Sequence, residues 1–232
     1  VAVLADVGRA VHGEVAEIRY QKVHHREHGL LHHAAVVGAS RDQGDAAPEV
    51  QAHDARAFRA VARATKLPII LYSIPGRCGV EIAVDTVNRL AGDCRNIVGI
   101  KEAGGNPDRV SQLRAALGPK FTILSGDDSL TLPFMAVGAQ GVISVASNVI
   151  PREVAHMVKA FATGKTAIAL KLHAKFYPLF KDLFIETNPI PVKAALAMMG
   201  LVEEEYRLPL VPMAAANREK LRKTMKACGV LK

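Results

Sequence analysis

Three residues stand where a βα chain usually keeps its chemistry, at or just past the ends of apolar runs: Lys101, Tyr72 and Arg77. Lys101 closes the run NIVGIK (96–101), and Glu102 follows it. Its stem is expected to lie among Ile97, Val98 and Ile100, leaving the amine partly desolvated. Desolvation disfavours the ammonium and lowers its pKa. A neutral amine attacks a ketone and forms an imine. The imine draws electrons from the adjacent carbon. Loss of a proton there gives an enamine, a carbon nucleophile that adds to an aldehyde. Tyr72 closes LPIILY (67–72) and is suited to relay protons in such steps. Arg77, in the loop after it, can hold a carboxylate bidentately, which a lysine does less well.

Each residue also has a plain structural reading. A strand-end lysine can snorkel to water. A tyrosine there can be a core aromatic with its hydroxyl at the rim. Arg77 sits in a Gly-flanked loop and can simply be solvated. Asp127 and Asp128, after the run FTILS (121–125), fit a helix cap and a first-turn acid as well as a site. A Mg2+ role for them is open, with no further carboxylate cluster to support it.

The elements that must position these residues follow from periodicity. Residues 55–65 have helical spacing through Phe58, Val61 and Ala62. Residues 67–72, 96–101, 121–125 and 141–145 read as short apolar strands. Helices are expected at 84–91, at 106–117 with Asn106 or Asp108 as cap, and at 129–137. Strands of about five residues alternating with helices of about ten signal a parallel βα sheet. If the strands are parallel neighbours, Tyr72, Lys101 and Gly126 converge on one rim. After residue 145 the strands stop. Residues 151–163, 166–184, 191–199 and 214–228 all read as helices.

Composition sets the outer limits. The chain has 232 residues, 50% of them hydrophobic and 22% charged, as in an ordinary globular protein. No apolar run reaches the roughly 18–20 residues of a membrane span, and no signal-peptide pattern opens the chain. It does not begin with Met, so its first residue need not be a true start. Cys78, Cys94 and Cys228 form no CxxC pair, which points to a reducing cytoplasm. The net charge of +8 fits a solvated basic surface, an anionic substrate or nucleic acid. Aromatics are 5% and Trp is absent, which disfavours nucleic acid and leaves small carboxylates.

Composition changes near Asp54. Residues 1–54 hold seven of the nine histidines, no Phe, and five Lys/Arg against eight Asp/Glu. Residues 1–7 and 34–38 are candidate strands there, and SRDQGDAAP (40–48) reads as loop. His24, His28 and His32 recur every fourth residue, a spacing that on a helix presents metal ligands on one face. No cysteine lies nearby and the helix is poorly defined, so an accident of composition is the simpler reading.

The segments LYSIPGRCG (71–79), VGIKEA (98–103), LSGDD (124–128), GVIS (141–144) and NPIPVK (188–193) together resemble the dihydrodipicolinate synthase family, also called 4-hydroxy-tetrahydrodipicolinate synthases, of pyruvate-dependent class I aldolases. Their order and spacing match from about residue 55 to the last residue. The resemblance implies an α/β (β/α)8 TIM barrel with a helical C-terminal extension, usually a homotetramer. It implies condensation of pyruvate with L-aspartate 4-semialdehyde in the diaminopimelate route to lysine. On this reading Lys101 forms the pyruvate Schiff base, Tyr72 relays protons and Arg77 contacts the carboxylate of the aldehyde. Gly126 and Ile143 line the pyruvate pocket through their backbones. No metal or organic cofactor is expected, and neither nucleic acid nor a membrane is an expected partner. The wider superfamily includes N-acetylneuraminate lyase and 2-keto-3-deoxy sugar-acid aldolases. Arg77, SGDD and NPIPVK favour the synthase over these.

The match has a boundary. The family carries more than a hundred residues before the strand ending in Tyr72, where this chain has 71. Its Gly-Thr-Thr-Gly-Glu loop and Tyr-Tyr-Asn segment are absent. The expected organisation is therefore an anomalous segment 1–54 in place of the first βα units, a half-barrel 55–148 and a helical region 149–232. Three explanations are open: a misread or rearranged coding region, a short replacement capping an open half-barrel, or a sheet completed by a second copy. A catalytically impaired family fragment is the alternative to an active enzyme.

Overall fold

The computed structural model describes residues 17–21, 34–38 and 48–232, with side chains described from Ala55 onward. The candidate strand 1–7, residues 40–47 of the loop expected at 40–48, and the histidine series lie outside the described residues, while Pro48, the last residue of that loop, opens a helix. Two compact units are present. The first runs to Gly126 and takes in Ala136–Gly141. The second comprises Asp127–Met135 and Val142–Lys232.

The first unit is a sheet flanked by helices. Its strands are β1 (Glu17–Gln21), β2 (Ala34–Gly38), β3 (Ile69–Ser73), β4 (Ile97–Glu102), β5 (Thr122–Ser125) and β6 (Gly141–Val142), which joins this unit through Gly141. They lie side by side in chain order. β2, β3, β4 and β5 run parallel, and β1 is antiparallel to β2. Parallel strands are covered on both faces and read as unbroken apolar runs. Accordingly Ile69, Ile70, Leu71, Ile100 and Ile123 are all almost fully buried. Helices α1 (Pro48–Ala64), α2 (Pro75–Cys78), α3 (Val84–Asp93) and α4 (Pro107–Leu117) fill the connections.

Local chemistry explains where these helices begin and end. Asn106 caps α4, its side-chain oxygen accepting the Asp108 N–H at 3.0 Å, and Pro107 takes the first helical position. At the other end of α4, Arg114 donates to the carbonyls of Gly138 (2.7 Å), Phe121 (2.9 Å) and Gly118. One guanidinium thus satisfies backbone acceptors that neither helix nor sheet can reach.

The second unit is helical. It contains α5 (Thr131–Ala136) up to Met135, α6 (Pro151–Ala162), α7 (Thr166–Asp182), α8 (Ile190–Met198) and α9 (Ala215–Ala227). Val154, Met157, Phe176, Leu179, Leu221 and Met225 form its core. Each such side chain stabilises the fold by about 1.5–3 kcal/mol on burial. Asp182 ties α7 to α9, accepting from Thr224 Oγ1 at 2.7 Å and pairing with Lys220 at 3.1 Å.

Among the described residues the expected strands and helices recur, most of them with shifted ends. The strand expected at 141–145 covers only Gly141–Val142, and β1 went unforeseen. Among the described residues, no helix is long and apolar enough to cross a membrane.

Candidate active site

The site is built on two adjacent rungs of the sheet. Register pairs Tyr72 with Lys101 and Lys101 with Leu124. The next rung pairs Ser73 with Glu102 and Glu102 with Ser125. Side chains alternate across a strand, so Tyr72 and Lys101 share one face while Ser73 and Glu102 share the other. On the first face Lys101 Nζ lies 4.0 Å from the centroid of the Tyr72 ring. Lys101 is only 9% exposed.

Gly126 completes this face. Its N–H donates to the Glu102 carbonyl at 2.7 Å. A Cβ placed there would come within 3.2 Å of Lys101 Cε and 2.6 Å of Ala103 Cβ. Only glycine lets the chain pass so close to the lysine stem. Tyr72, Lys101 and Gly126 are therefore brought together, as the alternation of strands predicts.

Arg77 lies in α2, four residues past the end of β3, and its side chain is exposed. Its N–H donates to the Ile74 carbonyl at 3.0 Å, and Gly79 closes the turn at φ 69°. Ile143 belongs to the second unit, buried one residue past β6.

The second face holds an ion network, centred on the buried pair Arg109–Glu102 and reaching the exposed Glu81, that sequence reasoning missed. Arg109 of α4 donates from Nε to Glu102 at 2.8 Å, pairs through Nη1 with Glu81 at 3.1 Å, and donates from Nη2 to the Ile82 carbonyl. Glu102 also accepts the Gly104 N–H at 2.7 Å. Burial pushes the Glu102 carboxyl above the ordinary carboxylate range, and the Arg109 guanidinium opposes the shift. A signal was present in the sequence. Glu102 ends a strand whose both faces are covered, so a cationic partner was required.

Asp127 and Asp128 behave differently from the cap expectation. Asp127 accepts from Ser129 N and Ser129 Oγ, both at 2.8 Å, making a turn ahead of α5. Asp128 reaches away from its own helix. Its Oδ2 accepts the N–H groups of Val145 (3.1 Å) and Ala146 (3.0 Å), and the Ser144 hydroxyl also donates to it. Asp128 thereby holds the turn just after Ile143. Burial pushes its carboxyl upward, against these donors.

Among the described residues no group of three or more His, Cys, Asp or Glu side chains is placed to hold a metal ion. A cavity of about 590 Å³ in the second unit is lined by Leu201, Glu203, Glu204 and Arg218 among others, and by none of the candidate residues.

A parallel βα sheet with a buried lysine and a tyrosine at neighbouring strand ends defines the class: an α/β chain with a candidate Schiff-base site. The family model described as the dihydrodipicolinate synthetase family matches residues 48–228, and the chain belongs to that family. It is 53% identical over 169 residues to a 4-hydroxy-tetrahydrodipicolinate synthase of Aquifex aeolicus, covering 73% of this chain and 58% of that protein. It is 51% identical over 176 residues to the enzyme of the same name from a Sulfurihydrogenibium species, covering 75% and 60%. Among solved structures it is similar to the 4-hydroxy-tetrahydrodipicolinate synthase of Methylacidiphilum fumariolicum, with 54% identity and a TM-score of 0.79 over 84% of this chain and 63% of that one. The chain thus spans about three fifths of the length of the relatives it matches.

Proposed function

We propose that this chain carries a pyruvate-dependent class I aldolase site of the 4-hydroxy-tetrahydrodipicolinate synthase type, with Lys101 as the nucleophile. One observation carries the reading: Lys101 is 9% exposed and its Nζ lies 4.0 Å from the centroid of the Tyr72 ring, at the end of neighbouring strands. A buried amine beside a phenol suits imine chemistry, because the neutral amine is the attacking form and the phenol can exchange protons with it.

The reaction runs in four stages. Lys101 Nζ adds to the keto carbon of pyruvate, and the carbonyl oxygen leaves as water, giving the imine. A methyl proton is then lost, and its bonding pair becomes the enamine double bond. The enamine carbon adds to the aldehyde carbon of L-aspartate 4-semialdehyde, whose oxygen takes up a proton. The amine of that substrate then attacks the imine carbon and displaces Lys101 Nζ, which closes the ring and frees the lysine. Tyr72 handles protons in these steps. Arg77 grips the carboxylate of the aldehyde substrate. The backbone at Gly126 lines the pyruvate pocket. The reaction places the chain in lysine biosynthesis through diaminopimelate, in the cytoplasm, and calls for no metal or organic cofactor. A homo-oligomer, a tetramer in the first instance, is the proposed assembly, and sedimentation velocity tests it. One solved relative at 37% identity is described as a monomeric variant, so a sedimenting monomer would revise the assembly without touching the site.

Borohydride trapping tests the chemistry. The chain is incubated with pyruvate, reduced, and the adduct mapped by mass spectrometry. The adduct is expected on Lys101 alone. Its absence, or its appearance on another lysine, overturns the assignment. Lys101→Ala is expected to abolish both the adduct and condensation.

A further inference from the structure

The loop carrying Arg77 runs from Ser73, at the end of β3, to Ile82. Its two ends are drawn together, Ser73 Oγ accepting the Ile82 N–H at 3.4 Å, while the Ser73 carbonyl accepts the Ala103 N–H at 2.9 Å. These contacts fix the base of the loop and leave its reach to be set elsewhere. Arg109 sets it. The guanidinium grips Glu81 and the Ile82 carbonyl on the loop side and Glu102 on the strand side. Gly104 lies between the two carboxylates: a Cβ there would meet Glu102 Oε1 at 2.7 Å, Glu81 Oε1 at 2.8 Å and Pro75 Cγ at 3.6 Å. Glu102 directly follows Lys101 and faces the opposite side of β4. One buried cation thus connects the strand that carries the amine to the loop that carries the proposed carboxylate-binding guanidinium.

We propose that Arg109 is a positioning residue for the aldehyde substrate: it fixes the Arg77 loop against strand β4 and touches no reacting atom. The inference rests on the reading of Lys101 and Arg77 given above. Buried ion pairs are weak contributors to net stability compared with apolar packing, but they impose one geometry. A bidentate fork cannot be replaced by a point charge, so Arg109→Lys is not conservative here. Loss of the tether should cost aldehyde binding and leave the pyruvate adduct intact, because Lys101, Tyr72 and Gly126 lie on the other face.

The test compares the wild-type chain with Arg109→Met, Arg109→Lys, Gly104→Ala and Glu81→Ala. Three quantities are read: the pyruvate concentration for half-maximal trapping on Lys101, the KM for the aldehyde, and amide hydrogen exchange over residues 74–82. In Arg109→Met the aldehyde KM is expected to rise at least about tenfold, since ångström-scale misplacement costs on the order of 10²-fold. Half-saturation by pyruvate should move less than about threefold, a split that marks lost binding of one substrate only. Exchange at Arg77, Cys78 and Gly79 should accelerate at least about tenfold. Glu81→Ala leaves Glu102 paired, and a rise of about threefold in the aldehyde KM alone is expected. It decides the matter if the Arg109 variants do not fold. Equal rises for both substrates, or no rise in folded variants, overturn the inference. If the wild-type chain forms no adduct, the reading of Lys101 fails instead, and the exchange rates alone still decide whether Arg109 holds the loop.

Discussion

Lys101 and Glu102 are sequence neighbours with opposite surroundings. The lysine meets a phenol ring on one face of β4, while the glutamate meets a guanidinium on the other. The phenol is testable apart from the amine. Tyr72→Phe should still form the pyruvate adduct, while kcat for condensation falls about 10²–10⁴-fold, the usual contribution of a placed proton donor. Loss of the adduct, or an unchanged kcat, would count against the relay. Gly126 offers a steric test. Gly126→Ala pushes a methyl group toward Lys101 Cε and into Ala103, and overpacking of this kind costs about 1–3 kcal/mol. Trapping at subsaturating pyruvate should weaken accordingly, and an unchanged pyruvate dependence would refute the close approach. Lys101, Tyr72 and Gly126 were legible because each ends or follows an apolar run. Arg109 was not, because an arginine in the first turn of a helix looks solvated until the strand-end carboxylate beneath it is considered.

At the scale of elements, the strand expected at 141–145 stops early for a reason that periodicity cannot carry. The run GVISV is apolar enough for a longer strand, yet the Val145 and Ala146 N–H groups donate to Asp128, which bends the chain into a 3₁₀ turn at Ala146–Asn148. A side chain seventeen residues away thus outcompetes the ladder. Asp128 also makes a prediction about pH. Its carboxyl is raised above the ordinary 3.8 by burial. The stability it contributes is therefore fully present below that ordinary value and is lost as pH rises through the folded-state value. Asp128→Asn keeps an oxygen for the two N–H groups and removes the titration. Urea melts from about pH 4 to pH 8 should show the wild type losing stability relative to the variant as pH rises. A difference independent of pH would reject this account.

Over the whole molecule, the parallel order of the strands and the helical second half could both be read from spacing alone. β1 could not. EIRYQ has no apolar run, and an edge strand needs only one covered side and a partner to pair with. The basic balance of +8 bears on function through the field it creates. Pyruvate is an anion, so long-range attraction should assist its capture, and salt should screen it. Raising ionic strength from about 20 to 200 mM should increase the pyruvate concentration needed for half-maximal trapping, by about twofold or more. A flat response would assign the charge to surface solvation alone.

The alternation along β4 has an arithmetical consequence. Removing one residue from 97–100 would swing a carboxylate toward the phenol and drive an ammonium into the guanidinium on the far side, exchanging attraction for repulsion at both places. Removing two would return each group to its own side on a shorter strand. Natural or engineered length changes in this stretch should therefore be survivable in even steps and ruinous in odd ones.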